Sequence, residues 1–275
     1  MSLLQALILG LVQGVTEFIP ISSSGHLVLV PWLLGWDKAP LAFDTIVHWG
    51  TLAAILAVFW RDLWELFVAG LNSLLALAGQ DRSYDETQAR LAWAIMLGSI
   101  PAALVGFMLE DFFEGLFGQP VAVAGLLVVT ANILLASEWL SEQESPMSKI
   151  GWLDALLIGL TQALAIMPGI SRSGSTIAAG LMRGVRREAA ARFSFLLSTP
   201  VVLGAGLYKL LDLVEAGGLN ELAGALIVGF VVAAVSGYVC IRWLLSYLAR
   251  RPLHLFAAYC FAFGFFNLVV ALVRG

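Results

Sequence analysis

The stretch VTEFIPISSSGHLVLV, residues 15–30, sets a carboxylate, three consecutive serines and a histidine inside sequence otherwise oily enough for a bilayer. Pro20 and Gly25 break the helical pattern there, so the apolar runs on either side, Leu3–Thr16 and residues 27–36, read as two separate helices. At about 1.5 Å rise per residue they extend only about 21 and 15 Å, short of a hydrocarbon core about 30 Å thick. Half-length helices joined by a polar break read as a re-entrant hairpin, because irregular backbone survives at membrane depth only under cover of protein or water. The pattern returns downstream as residues 153–166, then MPGISRSGS, then residues 176–182.

The two hairpins read as copies. QALILGLVQ lies over DALLIGLTQ and ISSSG over ISRSG in a single register, so that Gly10 meets Gly159, Gln13 meets Gln162, and Ser22, Ser24 and Gly25 meet Ser171, Ser173 and Gly174. Leucines coincide easily in apolar sequence; a serine–glycine turn in register with a glutamine does not. The chain is therefore read as one membrane domain built from a tandem duplication, repeat 1 over residues 1–145 and repeat 2 over residues 146–275.

Around the hairpins lie six stretches long enough to cross, at residues 41–60, 90–109, 120–140, 188–211, 222–245 and 253–273. Residues 63–77 are apolar too, but Glu65 and Asn72 interrupt them, and they read as an interfacial amphipathic helix. The expected fold is all-α: a polytopic integral membrane protein with six spanning helices and two re-entrant hairpins. A hairpin returns to the side it entered from, whereas three spans reverse sides, so the second copy is expected to be inverted relative to the first. Paired interrupted helices in corresponding positions point to a midplane site where the two tips meet.

Composition agrees with lipid as the solvent. The 275 residues are 60% hydrophobic and 12% charged, with a mean hydropathy of +0.91, and a soluble domain carries about twice that share of charge. No nucleic-acid partner is expected, and the formal charge of -4 says little by itself; its distribution along the chain says more. The start, MSLLQALILG, has no basic segment, so no removable signal is expected. Cys240 and Cys260 sit in apolar runs and read as packing residues. Of the 15 lysines and arginines, only Lys38, Lys209 and Arg274 fall on one face, Arg172 lies within the membrane, and the rest fall on the other face. The rich face is expected to be cytoplasmic, which leaves both termini and the mouth of the first hairpin extracytoplasmic.

The chemistry gathers at the turns. Gln13 and Glu17 are four apart and share a helix face. An ionised carboxylate at that depth costs about 2.5–3.5 kcal/mol unless it is paired or wet. SSSGH and SRSGS open the second helix of each hairpin, where backbone N–H groups, serine hydroxyls and glycines admit a phosphate. Simple N-capping explains one serine per helix, not three in a row at one tip and a flanking arginine at the other. Arg172 can fork onto phosphate, or form a structural ion pair with Glu17. His26 opens its helix, where the dipole favours the neutral, basic imidazole, three residues from Ser23. That spacing suits a base for a serine, and equally a histidine acting as nucleophile or as leaving-group acid. Asp44 and His48 share a face of the first span and either line the cavity or merely pair with each other.

Gln13-x-x-x-Glu17 followed by PISSSGH, and later PGISRSGST, resemble the undecaprenyl-diphosphate phosphatase family of bacteria, also known for bacitracin resistance. The similarity covers nearly the whole chain. SGH also occurs in phosphatidic-acid-phosphatase-type enzymes, but the lysine-rich motif of that class is absent and Ala178 stands where its second histidine is required. The resemblance implies a multi-pass enzyme of the bacterial inner membrane that removes the terminal phosphate of a polyprenyl diphosphate and returns the carrier lipid to peptidoglycan synthesis. It implies a divalent metal, Mg2+ or Ca2+, at Glu17 and Gln13, with Gln13 filling the amide alternative of the family's (Glu/Gln)xxxGlu motif. It carries the catalytic positions onto Ser23, His26, Glu17 and Arg172, and substrate-binding positions onto Ser22, Ser24, Gly25, Ser171, Ser173, Gly174 and Thr176. Homodimerisation stays open. The alternative from another class is a transporter or flippase of a prenyl phosphate or small anion, which uses the same inverted-repeat site.

Overall fold

The chain folds into a helical bundle; the computed structural model describes residues 1–142, 144–216 and 219–274, without the side chains of residues 210–221. Two hairpins form as the apolar periodicity requires. The first is α1 (Leu3–Thr16) and α2 (Ser23–Leu34), the second α7 (Trp152–Leu164) and α8 (Arg172–Met182). At 11 to 14 residues each, none exceeds about 21 Å. Among the described residues six helices are long and apolar enough to cross a membrane: α3 (Leu41–Leu77), α4 (Glu86–Met108), α6 (Pro120–Trp139), α9 (Arg187–Ala216), α10 (Leu219–Leu248) and α11 (His254–Arg274). Among the described residues there is no strand, only a lone bridge between Ser145 and Val185. The protein is thus an all-α, multi-pass membrane protein. Residues 217, 218 and 275, which the sequence assigns to the second repeat, lie outside the described residues.

Residues 63–77 are helical and amphipathic, as expected; they follow the first span across a kink where Phe59 leaves helical geometry (φ −108°, ψ 19°), so that one range, Leu41–Leu77, covers both helices. Beyond the bend Leu66, Ala69 and Ser73 are buried while Trp64, Phe67 and Leu77 are exposed. Two local readings are corrected. The helices after the two turns begin one turn earlier than residues 27 and 176, because Ser22 and Ser171 act as N-caps, each accepting a hydrogen bond from the glycine three residues on. Finally, α5 (Glu110–Leu116) is a short helix the hydropathy did not reveal.

Packing between the halves is reciprocal. The first-hairpin helix α1 packs on α10, and its counterpart α7 packs on α4. Glycines make both approaches close: a Cβ on Gly10 would fall 2.9 Å from the Gly229 carbonyl oxygen, and one on Gly159 would clash with the Gly98 carbonyl. α3 also packs on α10 and α4 on α9, while α6 packs on α11. The core between them includes Phe18, Phe59 and Phe195, with Phe18 and Phe195 meeting edge to face at 5.3 Å. Charged groups are paired where helices end. Arg187 clasps Glu138, whose Oε1 also accepts from the Leu253 backbone (2.8 Å), and Arg192 reaches Asp62 at 2.9 Å. Cys240 and Cys260 are free and buried, as packing residues should be.

Candidate active site

The two hairpin tips touch. Ser22 Oγ accepts from Gly25 N within its own turn and from Gly169 N of the opposite turn, both at 3.2 Å. Ser173 Oγ returns the contact by donating to Ile19 O at 3.3 Å. Glycine is required for this closeness: a Cβ on Gly25 would lie 3.2 Å from Gly169 Cα, and Gly169 itself has φ +102°. Thr130 of α6 braces the second turn, donating to Gly169 O (2.8 Å) and accepting from Ser171 N (3.1 Å). Ser22 carries φ 69°, the one positive value for a non-glycine among the described residues. Such strain persists where surrounding contacts over-determine the backbone, typically at functional sites.

Glu17, at the end of α1, is the hub. Its Oε1 accepts from the Arg172 guanidinium at 2.5 Å. Its Oε2 accepts from Ser23 Oγ at 2.5 Å and Gln13 Nε2 at 3.0 Å, with His48 Nε2 3.8 Å away. The Glu17 side chain is 6% exposed and that of Arg172 18%. The ion pair between the tips is the structural alternative that the sequence allowed for Arg172. A buried pair of this kind repays its desolvation only with further hydrogen bonds, and Glu17 has them from Ser23 and Gln13.

His26 is not paired with Ser23. Its Nδ1 meets Ser22 O and its Nε2 meets Tyr259 Oη, both at 2.7 Å, while the ring stacks on Phe263 at 4.8 Å. The three-residue spacing brings the two residues near in sequence, but the helix starts at Ser23, which turns that hydroxyl toward Glu17. Ser24 and Ser173 lie 3.3 Å from the capping hydroxyls of Ser22 and Ser171 respectively. Gly174 packs against Pro20 of the facing turn. Thr176 faces away from Glu17, with Oγ1 bonded to Ser194 of α9 at 2.6 Å and to Arg172 O.

Residues 6–266 match the family described as bacitracin resistance protein BacA. The chain is 43% identical to the undecaprenyl-diphosphatase of Thermomicrobium roseum, with 98% of each chain covered. It is 44% identical to that of Moorella thermoacetica, over 94% of each. A third undecaprenyl-diphosphatase, from an Anaeromyxobacter species, is 47% identical over 96% of this chain and 86% of its own. The chain belongs to this family.

The divalent metal implied by the family resemblance can be tested against the residues present. Gln13 Oε1 is buried without a hydrogen-bond partner, on the side chain whose Nε2 binds Glu17. With the Glu17 carboxylate and the Ser23 hydroxyl it makes an all-oxygen set, which suits a hard cation. Among the described residues no group of three or more His, Cys, Asp or Glu gathers as a cage. The donor types would fit a hard cation, Mg2+ or Ca2+, with one protein carboxylate and the remaining ligands from substrate phosphates and water.

Of the two readings open for His48, lining the cavity or pairing with Asp44, the geometry holds both: its Nδ1 meets the Asp44 carbonyl, which leaves Nε2 facing Glu17. Two residues of this site are not legible in the sequence. Tyr259 and Phe263 lie on α11, in a span whose many aromatics hide them. Their four-residue spacing was the available signal, but nothing in the sequence tied it to His26.

Proposed function

We propose that the protein hydrolyses undecaprenyl diphosphate to undecaprenyl phosphate and inorganic phosphate. The observation that carries this reading is the Glu17 hub, where a serine hydroxyl and a guanidinium from two sequence-distant turns share one buried carboxylate. The reading also rests on relatives of nearly the same length that bear the diphosphatase name.

The diphosphate enters between the tips. Arg172 exchanges Glu17 for the terminal phosphoryl oxygens, where a guanidinium forks well, and the N-terminal amides of α2 and α8 add positive potential. Ser23 Oγ forms a bond to the terminal phosphorus as the anhydride P–O bond breaks. The serine proton passes to Glu17, and the prenyl monophosphate leaves with the bridging oxygen. Water then attacks the phosphoserine, giving a proton to His26 Nε2, while the Ser23 O–P bond breaks and Ser23 recovers its proton from Glu17. Phosphoryl transfer of this sort demands positioning and charge neutralisation more than strong nucleophile activation. A Mg2+ or Ca2+ ion held by Glu17 and Gln13 Oε1 would supply further neutralisation of the diphosphate.

We read the two hairpins as re-entrant and the halves as inverted repeats, a view supported by the reciprocal packing of α1 on α10 and α7 on α4. The site then opens to the extracytoplasmic side of the inner membrane, both termini lie on that side, and the product rejoins the lipid carrier cycle of cell-wall synthesis. The same architecture suits a transporter, and the rival is separated by an assay without a gradient. Purified protein in detergent, given farnesyl or undecaprenyl diphosphate with and without EDTA, is expected to release phosphate, and the Glu17→Ala, Arg172→Ala and His26→Ala variants to lose it. Absence of release by folded wild type would favour transport. Equal release by all variants would remove the site assignment. Rapid-quench trapping is expected to find the phosphoryl label on Ser23.

A further inference from the structure

His26 is 3% exposed and both of its ring nitrogens are engaged. Ser22 O can only accept, so Nδ1 carries the hydrogen; Nε2 of the neutral ring is then an acceptor and the Tyr259 hydroxyl its donor. The ring plane is held as well. His26 lies parallel to Phe263 at 4.8 Å and 8°, and the Tyr259 ring lies nearly parallel at 5.6 Å and 12° with its hydroxyl at the Nε2 edge, while Tyr259 and Phe263 are 5.7 Å apart at 18°. Ser22 O thus selects the tautomer, and one i, i+4 pair on α11, the last helix of the bundle, engages the Nε2 lone pair and holds the ring plane. Tyr259 is 40% exposed. Of the two groups hydrogen-bonded to His26 it is the one with room to move, since Ser22 O belongs to the buried cap of α2.

We propose that Tyr259 is a positioning residue for the reaction described above, on which this inference rests. Its hydroxyl engages the Nε2 lone pair of the Nδ1–H tautomer that Ser22 O selects, so fixing the angle of the ring, and gives up that nitrogen when water enters to release the phosphoryl group. The hydroxyl then returns to Nε2 after His26 sheds its extra proton to solvent. No covalent bond to Tyr259 is made or broken.

The test compares wild type, Tyr259→Phe, Phe263→Leu and His26→Ala in detergent, with melting curves to establish folding. Tyr259→Phe keeps the stack and loses only the hydroxyl. Its kcat is expected to fall about tenfold, the worth of one orienting hydrogen bond, with KM unchanged. Histidine 15N spectra give a readout independent of turnover, since the chain has three histidines and subtraction of His26→Ala assigns the signal. Wild type should show a protonated Nδ1 and a hydrogen-bonded, unprotonated Nε2. In Tyr259→Phe the Nε2 resonance should move toward that of a free acceptor while Nδ1 stays. Phe263→Leu should raise KM little and lower kcat less than Tyr259→Phe does. A wild-type Nε2–H tautomer overturns the proposal whatever the variants do, as does a Tyr259→Phe enzyme with unaltered kcat and Nε2 signal. Should His26→Ala turn over normally, the role given to His26 fails and this inference goes with it. If His26→Ala is inactive and Tyr259→Phe is normal, only the inference fails.

Discussion

At Ser22 one hydroxyl oxygen serves two backbone N–H groups from different hairpins, whereas its repeat partner Ser171 caps only Gly174 N. Ser22→Ala is therefore expected to cost more stability than Ser171→Ala, about 2 against about 1 kcal/mol on the scale of helix caps, read as thermal midpoints in detergent. Glu17→Gln keeps the side-chain shape while removing the charge that holds Arg172. It should fold and lose roughly a hundredfold or more in kcat, as expected when a preorganised charge is removed; phosphate release checks it. Much of this was legible beforehand, because Gln13, Glu17, the serines, His26 and Arg172 are polar where the surrounding sequence is apolar, and lipid tolerates such residues only for a reason. Which of them bond to which was legible only in part: the Arg172–Glu17 pair was one of two alternatives, and the partners of Ser23 and His26 were not readable. Ser23 was matched to His26 by spacing, yet the α2 start and the nearness of α1 give it to Glu17 instead.

Among the elements, the short helices depend on glycine. A Cβ on Gly159 would clash with the Gly98 carbonyl, and backbone cannot step aside as a side-chain end can. Gly159→Ala is expected to push α7 from α4, cost about 1–3 kcal/mol, and depress turnover by shifting the Arg172 turn. Gly125→Ala, with open space at its Cβ, should be silent in the same melting and turnover measurements. The repeat in the sequence made Gly10 and Gly159 comparable before any contact was known, and the two do meet glycines of opposite halves. The kink at Phe59 shows in the sequence only indirectly. Hydropathy records the solvent of each residue, so Glu65 and Asn72 mark the change to an amphipathic helix, while the local φ/ψ departure at Phe59 leaves no trace in it.

For the whole molecule, the proposed orientation is tested from outside the cell. Cysteines introduced at Ser2 and Asp81, against native cysteines that are buried, should differ. An impermeant maleimide should label Ser2→Cys on intact cells and Asp81→Cys only after lysis. The reverse, or equal labelling, would move the mouth of the first hairpin to the other side and with it the side of hydrolysis. Six long apolar helices, four short ones paired in two turns, and a polar residue set at each turn followed from the sequence alone, since segment length and lipid solubility are properties of local sequence. The tertiary structure decided the partnerships. Arg172 meets Glu17 across 155 residues and His26 meets Tyr259 across 233, because helix packing sets the rotation of each helix about its axis, and that rotation chooses which side chains come within hydrogen-bonding distance.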